Sequence, residues 1–211
     1  AMRALVIYCH PRRGSFTEAV RDVVLEKLQA VGAEVRLRDL YAEGFNPVLS
    51  AREHESYEDE AINRDPVATH CDDVVWCDTL VFVYPTWWYG LPAMIKGWLD
   101  RVLVPGLAFL MPDGNNDDIR PGLTHISRLG VFTTCGASFW LTRMVGAPGK
   151  RTLLRGLRLI CAKGCKTVFA AHYLMDSSTD ESRAKHLRKV AAQMVRLVGN
   201  APAARRQEAT A

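Results

Sequence analysis

Apolar residues along this 211-residue chain follow two alternating patterns. Continuous apolar runs of strand length occupy residues 4–9, 79–84, 129–134 and 167–173, with a shorter run at 34–37. Between these runs, apolar residues recur at a spacing near 3.6, which predicts helices at 17–31, 66–77, 91–103, 150–161 and 180–198.

Strands whose residues do not alternate in polarity are buried on both faces, which is typical of parallel strands covered by helices. The pattern therefore predicts the α/β class, as a doubly wound five-stranded parallel sheet with helices on both faces. We expect residues 2–199 to form one domain and residues 200–211 to form a disordered tail. Segments 39–64, 105–125 and 135–149 are too long for plain connections, so we interpret them as site walls or dimer contacts.

Charge and cysteine usage narrow the class of protein. The net charge is +4, and the basic residues are not interleaved with aromatic ones, so nucleic acid is not an expected partner. No apolar stretch reaches about 18 residues, so we expect no direct membrane insertion and a cytoplasmic location. Six cysteines without zinc-site spacing predict reduced thiols. The histidines also lack metal-ligand spacing, so no metal site is predicted.

Ligands of open parallel sheets bind beside the carboxyl ends of the strands, and the loop at residues 9–17 is the first of three such sites. It enters a helix through small and hydroxyl residues, whose free N–H groups favour an anion. A plainer interpretation is that Ser15 or Thr17 only caps the helix. The loop is neither a GxGxxG turn nor a phosphate-binding P-loop, so a nicotinamide would come and go as a substrate.

The second loop, residues 85–90 with the sequence PTWWYG, follows a buried strand with aromatic residues and glycine. It offers a flat ligand a stacking wall and backbone N–H groups, which suits a flavin ring. Core packing is the alternative, but the adjacent Trp87 and Trp88 cannot both point inward along one strand. The third loop, residues 133–138, adds hydroxyl donors and a glycine that permits close backbone approach. Donors there would stabilise negative charge on a flavin that accepts hydride.

Several blocks in this order resemble the flavodoxin-like NAD(P)H:quinone oxidoreductases, of the DT-diaphorase and modulator-of-drug-activity type, over about residues 3–173. The resemblance rests on these blocks: His10 with SFT at 15–17, DLY at 39–41, FNPVLS at 45–50, PTWWYGLP at 85–92, KGW at 96–98, DRV at 100–102 and TT at 133–134.

The resemblance implies a tightly held flavin, FAD or alternatively FMN. It implies contacts to the flavin phosphates from His10, Ser15, Phe16 and Thr17. It implies contacts to the isoalloxazine ring from Pro85, Thr86, Trp87, Trp88, Tyr89 and Gly90, and to its pyrimidine edge from Thr133, Thr134, Cys135 and Gly136. The family works as a homodimer, in which hydride passes from NAD(P)H to the flavin and then, by a ping-pong route, to a quinone-like acceptor.

The chain also departs from the family. Cys135 replaces the first of two glycines, and residues 139–150 lack the tyrosine and histidine that balance charge on the reduced flavin. We hypothesise that Arg143 or Lys150 supplies this charge. For the substrate pocket we expect Phe109, Met111, Phe139 and Trp140, although Phe109 and Met111 would equally well fill a dimer interface.

The leading prediction is thus an NAD(P)H dehydrogenase that acts on quinones. Because the tyrosine and histidine are missing, a flavin-binding regulatory subunit of a larger assembly, with little turnover, stays open as an alternative. A flavodoxin-type electron carrier is less favoured, since such carriers present an acidic docking face and this chain has a net positive charge.

Overall fold

A computed structural model describes residues 1–115 and 118–199. The predicted tail at 200–211 lies outside the described residues. The strands are β1 (Arg3–Tyr8), β2 (Glu34–Asp39), β3 (Thr79–Thr86), β4 (Phe109–Leu110), β5 (Arg120–Pro121), β6 (Arg128–Cys135) and β7 (Lys166–His172). The α-helices are α1 (Phe16–Ala30), α2 (Ala51–Glu55), α3 (Ala68–Trp76), α4 (Ala93–Val102), α5 (Phe139–Val145), α6 (Pro148–Arg151) and α7 (Asp180–Val198).

Five strands form one parallel sheet in the order β2-β1-β3-β6-β7, which confirms the predicted architecture. The chain leaves β1 toward β2 on one side and returns to β3 on the other side. The strand order therefore reverses beside β1, and a crevice opens at the carboxyl ends of β1 and β3.

Helices cover both faces of the sheet, as predicted. On one face, α1 and α7 bury Val24, Leu28 and Met194 against β1, β3 and β6. On the other face, α3 and α4 bury a larger cluster around Trp98, whose ring meets Phe82 edge-on at 5.8 Å. Strands β1, β3 and β6 thus lie between two apolar layers, which explains their continuous hydrophobic runs.

Strand β2 differs from the prediction of burial on both faces. It lies at the sheet edge, and all six of its residues are exposed or half-buried. An edge strand has a partner on one side only, so charged residues are tolerated there.

Three predicted loops contain short elements that periodicity did not reveal. Helix α2 begins with a capping box formed by Ser50 and Glu53. Helix α5 begins at the Ser138 cap and ends at Gly146, whose φ is 100°. Strands β4 and β5 form a two-residue antiparallel pair in the segment 105–125. Elements this short carry fewer than two helical turns or strand alternations, so their apolar spacing holds no signal.

The block at residues 45–50 braces helix α4. A Cβ atom on Gly97 would lie 2.1 Å from the Pro47 carbonyl oxygen, so only glycine permits this approach. Arg101 then donates to the Asn46 carbonyl at 2.7 Å and to the Glu53 carboxylate at 2.6 Å. This block therefore orients the helix that follows the aromatic loop. None of the helices among the described residues is both long and apolar enough to cross a membrane.

Candidate functional site

A cleft of about 1050 Å³ opens at the carboxyl end of the sheet, and all three predicted loops line it. Every residue expected to contact a flavin lines this cleft except Gly90 and Thr133. Trp88 and Thr134, which come from different strand ends, face the same space. The structure therefore brings together the residues that the sequence analysis grouped.

The first loop presents the N-terminus of α1 to the cleft. Ser15 is the N-cap, and its Oγ accepts the backbone N–H of Glu18 at 3.1 Å, so the capping interpretation is also correct. Glu18 accepts the N–H of Gly14 and pairs with Arg21. The amides of Phe16 and Thr17 have no acceptor among the hydrogen bonds of the described residues. These two amides and the helix dipole could hold an anion.

The second loop is a tight turn directly after β3. The Gly90 N–H donates to the Trp87 carbonyl at 3.1 Å and closes the turn, and Gly90 itself does not line the cleft. Trp88 and Tyr89 have φ values of 50° and 63°, in the left-handed region that side chains disfavour by about 1–2 kcal/mol per residue. The turn leaves Trp88 93% exposed, so this tryptophan is not a core residue. Such backbone strain is typical of ligand-binding segments.

The third loop continues the pairing of β3 with β6. Pro85 is in register with Thr134 and Thr86 with Cys135, so the two loops leave the sheet side by side. Thr133 does not line the cleft; its Oγ1 lies 2.7 Å from Oγ1 of Thr86 and fixes that hydroxyl. Burial raises the pKa of the Cys135 thiol, so this residue is neutral at pH 7 and adds no charge to the cleft.

A fourth strand-ending segment completes the wall, and the sequence analysis missed it. Met175, Asp176 and Arg183 line the cleft from the segment after β7 and from α7. Arg183 lies over the Phe16 ring at 5.9 Å and donates to Ser178 Oγ at 2.9 Å. The rule that ligands gather at strand ends would have indicated this segment, but its residues carry no local motif.

Thr142 is a second missed residue. It is 8% exposed, lines the cleft, and its Oγ1 has no hydrogen-bond partner among the described residues. A buried hydroxyl without a partner is costly, which favours a ligand or a water molecule at this place. Arg12, Gly14 and Ala137 also line the cleft; they belong to the first and third predicted loops but were not predicted individually as contacts.

The two cations proposed for charge balance occupy different places. Lys150 lines an inner cavity of about 20 Å³ behind the cleft, and its Nζ lies 4.5 Å from the centre of the Phe169 ring. Thr86, Cys135 and Thr142 line both the cavity and the cleft. Both side chains are exposed, but Arg143, on α5, lines neither space. Lys150 is thus the nearer candidate, and its role stays a prediction.

The four residues expected in the substrate pocket do not line the cleft of the single chain. Phe109 and Met111 are half-buried near β4. Phe139 and Trp140 lie on α5, 46% and 75% exposed, with their ring centres 5.4 Å apart. No group of three or more potential metal ligands is gathered within residues 1–115 and 118–199.

The residues present fit a flavin. Unpaired amides at the α1 N-terminus suit a phosphate, and the aromatic turn offers a flat wall. The hydroxyls of Thr17 and Thr134, 3.5 Å from each other, belong to residues that line the same cleft. The volume of about 1050 Å³ is at the upper end of the usual range for cofactor sites.

Comparison with known proteins agrees with this geometry. The family described as flavodoxin-like fold matches residues 2–197. An uncharacterized NAD(P)H oxidoreductase of Haemophilus influenzae is 36% identical over 65% of this chain and 66% of its own length. NAD(P)H dehydrogenase [quinone] 1 of Cavia porcellus is 32% identical over 51% of this chain and 45% of its own. The chain thus matches about half to two thirds of the length of these curated relatives.

Among solved structures, an NAD(P)H:quinone oxidoreductase from Methanothermobacter marburgensis superposes with a TM-score of 0.77. The match covers 92% of this chain and 98% of that protein at 22% identity, which demonstrates a shared fold. Because a family match extends over nearly the whole chain and the sheet order and cleft agree with it, this chain belongs to the flavodoxin-like fold family.

Proposed function

We propose that the chain is a flavin-dependent NAD(P)H dehydrogenase that reduces a quinone or a similar flat aromatic acceptor. The observation that supports this most is the convergence of an anion-suited helix terminus, a strained aromatic turn and a threonine-lined edge in one cleft. The flavin would supply the redox chemistry, taking hydride from NAD(P)H and passing it to the acceptor in ping-pong order. Two similar proteins, named NAD(P)H oxidoreductase and NAD(P)H dehydrogenase [quinone] 1, support this proposal.

The protein's own groups would bind and orient this cofactor. The amides of Phe16 and Thr17 would hold its phosphate, and the turn at Trp88 and Tyr89 would hold its ring flat. The Thr134 hydroxyl and the amides of the third loop would donate toward the pyrimidine edge. Donors fixed before the reaction stabilise developing negative charge at no further reorganisation cost.

We favour FAD over FMN as the cofactor. The cleft continues beyond the α1 N-terminus to Met175 and Arg183, where Arg183 lies over the Phe16 ring. An apolar side chain and a guanidinium suit the base of an adenosine, which FMN lacks. In FMN-loaded protein this part of the cleft would be empty.

Lys150 is the residue we propose for charge balance, with Arg143 as the less favoured choice. Lys150 lines the inner cavity directly behind Thr86 and Cys135, whereas Arg143 lies outside it. A cation there would attract negative charge that develops in the cleft.

We further propose a homodimer in the cytoplasm. The α5 side chains Trp140 and Met144 are 75% and 78% exposed, and Trp88 beside the cleft is 93% exposed. Large apolar groups in this density usually mark an interface, and a partner there would bring Phe139 and Trp140 to a substrate pocket. All six cysteines are free and buried, which suits a reducing compartment.

The test begins with the cofactor. Purified protein should be yellow, release FAD on heating as identified by mass spectrometry, and oxidise NAD(P)H in the presence of menadione. Trp88→Ala should lower the flavin content, whereas Trp76→Ala, on α3 away from the cleft, should leave it unchanged. Protein that binds neither FAD nor FMN after reconstitution would refute the proposal. Stoichiometric flavin with negligible turnover would instead favour the regulatory-subunit alternative.

A further inference from the structure

A second, smaller cleft of about 340 Å³ adjoins the main one on the far side of the first loop. We call it the side cleft; it lies at the carboxyl ends of β1 and β2 and is lined by residues 10–13 together with Arg21, Asp39 and Tyr41. His10 and Arg12 line both clefts, so the two spaces are neighbours across one loop. The proposed function assigns it no role.

The arginines of the side cleft differ in how they are paired. Arg21 is bound by Asp22 at 2.7 Å and by Glu18 at 3.2 Å. Arg12 and Arg13 have exposed side chains and take part in no ion pair among the described residues. The acidic lining residues are Glu18, which is neutralised by Arg21, and Asp39, which accepts the N–H of Ala42 at 3.1 Å. The uncommitted guanidinium groups therefore make this cleft attractive to an anion.

The loop at residues 10–13 is stabilised by a hydrogen bond between its own residues. Nδ1 of His10 lies 3.1 Å from the Arg12 backbone nitrogen, which donates to it, so the turn that carries both arginines is ordered by its own histidine. Arginine suits a phosphate monoester better than lysine does, because each guanidinium group can donate two N–H groups to it. Here two such groups are on adjacent residues of an ordered loop.

An aromatic surface accompanies these cations. Tyr41 is 37% exposed in the side cleft. The Tyr8 ring is already covered by Arg21 at 4.8 Å, so Tyr41 is the ring that offers a free face. A base could stack on Tyr41 while its attached phosphate meets Arg12 and Arg13. A volume of about 340 Å³ lies within the range of small-ligand sites.

We propose that the side cleft binds the adenosine 2′-phosphate end of NADPH, and that the protein therefore prefers NADPH to NADH. This inference rests on the proposed function, since the nicotinamide end of the same molecule must reach the main cleft. The 2′-phosphate is the group that distinguishes NADPH from NADH, and it carries close to two negative charges at neutral pH. Its binding to Arg12 and Arg13 would lower the KM for NADPH.

The pyrophosphate of the flavin is the other possible source of phosphate for this loop. Arg12 lines both clefts and could serve either ligand, but Arg13 lines the side cleft alone. Arg13 therefore separates the two assignments. If it serves the nicotinamide nucleotide, its removal changes nucleotide preference; if it serves the flavin, its removal lowers flavin content.

The experiment compares the flavin-loaded wild type with Arg13→Ala and with the matched control Arg155→Ala. Arg155 is an exposed arginine that likewise lies in no ion pair of the described chain and lines neither cleft. The ratio of kcat/KM for NADPH to that for NADH should fall about tenfold or more in Arg13→Ala, because one charge-assisted contact contributes a tenfold effect or larger. The ratio should stay at the wild-type value in Arg155→Ala.

A binding measurement makes the test independent of turnover. Calorimetry should show that 2′,5′-ADP binds the wild type more tightly than 5′-ADP, and that Arg13→Ala removes this difference. An unchanged ratio, or equal affinity for both nucleotides in the wild type, would overturn the inference while leaving the proposed function intact. Loss of flavin from Arg13→Ala with an unchanged ratio would also overturn it. Absence of turnover with both nucleotides would count against the proposed function, and calorimetry would still decide the inference.

Discussion

The two ends of the central sheet differ in whether their polar groups are hydrogen-bonded within the protein. At the amino end, the Asp78 carboxylate accepts the Arg3 backbone N–H at 3.1 Å and the Thr79 hydroxyl at 2.8 Å, and the Asp78 carbonyl accepts the Ser127 N–H at 3.0 Å. At the carboxyl end, the Phe16 and Thr17 amides and the Thr142 hydroxyl lack partners among the described residues. The polar groups at the amino end are thus satisfied within the protein, whereas those at the carboxyl end face a cleft without partners.

This contrast indicates that the amino end of the sheet serves stability and the carboxyl end serves ligand binding. Paired polar groups at the amino end hold strands together, so their loss should affect folding and leave ligand affinity alone. Unpaired groups at the carboxyl end contribute little to the empty fold, and the strained turn at Trp88 and Tyr89 even lowers its stability. A ligand would supply the missing partners, so changes there should affect binding first.

The largest expected effect is on stability, from Asp78→Ala at the amino end. It removes two side-chain hydrogen bonds made by a carboxylate that also lies 4.0 Å from Arg3 and Arg128. The free energy of unfolding should fall by about 2–3 kcal/mol, because bonds to charged groups are the stronger ones. Urea denaturation measures this change.

The control for Asp78→Ala is Asp100→Ala, which breaks the exposed pair with Lys96 and should change stability by less than about 0.5 kcal/mol. The affinity of the folded Asp78→Ala protein for flavin should match the wild type. A large loss of flavin affinity without a loss of stability would contradict the idea that the amino end serves stability and the carboxyl end serves binding.

Thr134→Val at the carboxyl end should have a smaller effect, and it should change flavin affinity rather than stability. The Thr134 hydroxyl makes only a 3.5 Å contact with Thr17, so the free energy of unfolding without flavin should change by about 0.5 kcal/mol or less. Flavin affinity should fall about fivefold, the effect of one lost hydrogen bond of about 1 kcal/mol. Fluorescence titration with the free cofactor measures this. Thr167→Val, near the amino end of β7, is the matched control, and an equal loss of affinity there would contradict the prediction.

At neutral pH the smallest effect comes from a titratable residue at the carboxyl end, and it grows as the pH falls. Burial, with the nearby His172 and Lys189, lowers the pKa of His186 from 6.5 to about 4. The His186 ring packs against Phe16, which lines the cleft. The unfolded chain takes up a proton at this residue near pH 6.5 and the folded chain does not. The stability it contributes is therefore complete above pH 6.5 and declines as the pH falls toward 4.

The test follows the free energy of unfolding from pH 7 to pH 4.5 in the wild type and in His186→Gln. Glutamine does not titrate, so the curve of the variant should be less steep. A slope remains from the carboxylates and from His70, whose pKa burial also lowers to about 4. Identical slopes in the two proteins would show that His186 is not the titrating group.

Some features of the site were readable from the chain because they are local. The proline, paired tryptophans and glycine of residues 85–90 indicate the end of a strand, and Ser15 indicates the start of a helix. The contributions of Arg183 and Met175 were not readable, since they depend on β7 lying beside β6, and neither residue has a local signature. Lys150 was named from the sequence together with Arg143, but its position behind the cleft follows from how the chain turns after α5.

The amino-acid sequence by itself determined the fold class, because continuous apolar runs are stable only where both faces of a strand are covered, and it indicated which loops line the cleft. The tertiary structure alone decided which polar groups stay unpaired and which arginines are free. The ion pairs of Arg21 with Glu18 and Asp22 are local to one helix. By contrast, Asp39 and Tyr41 lie beside Arg12 and Arg13 only because β1 and β2 pair, which brings together residues far apart in sequence.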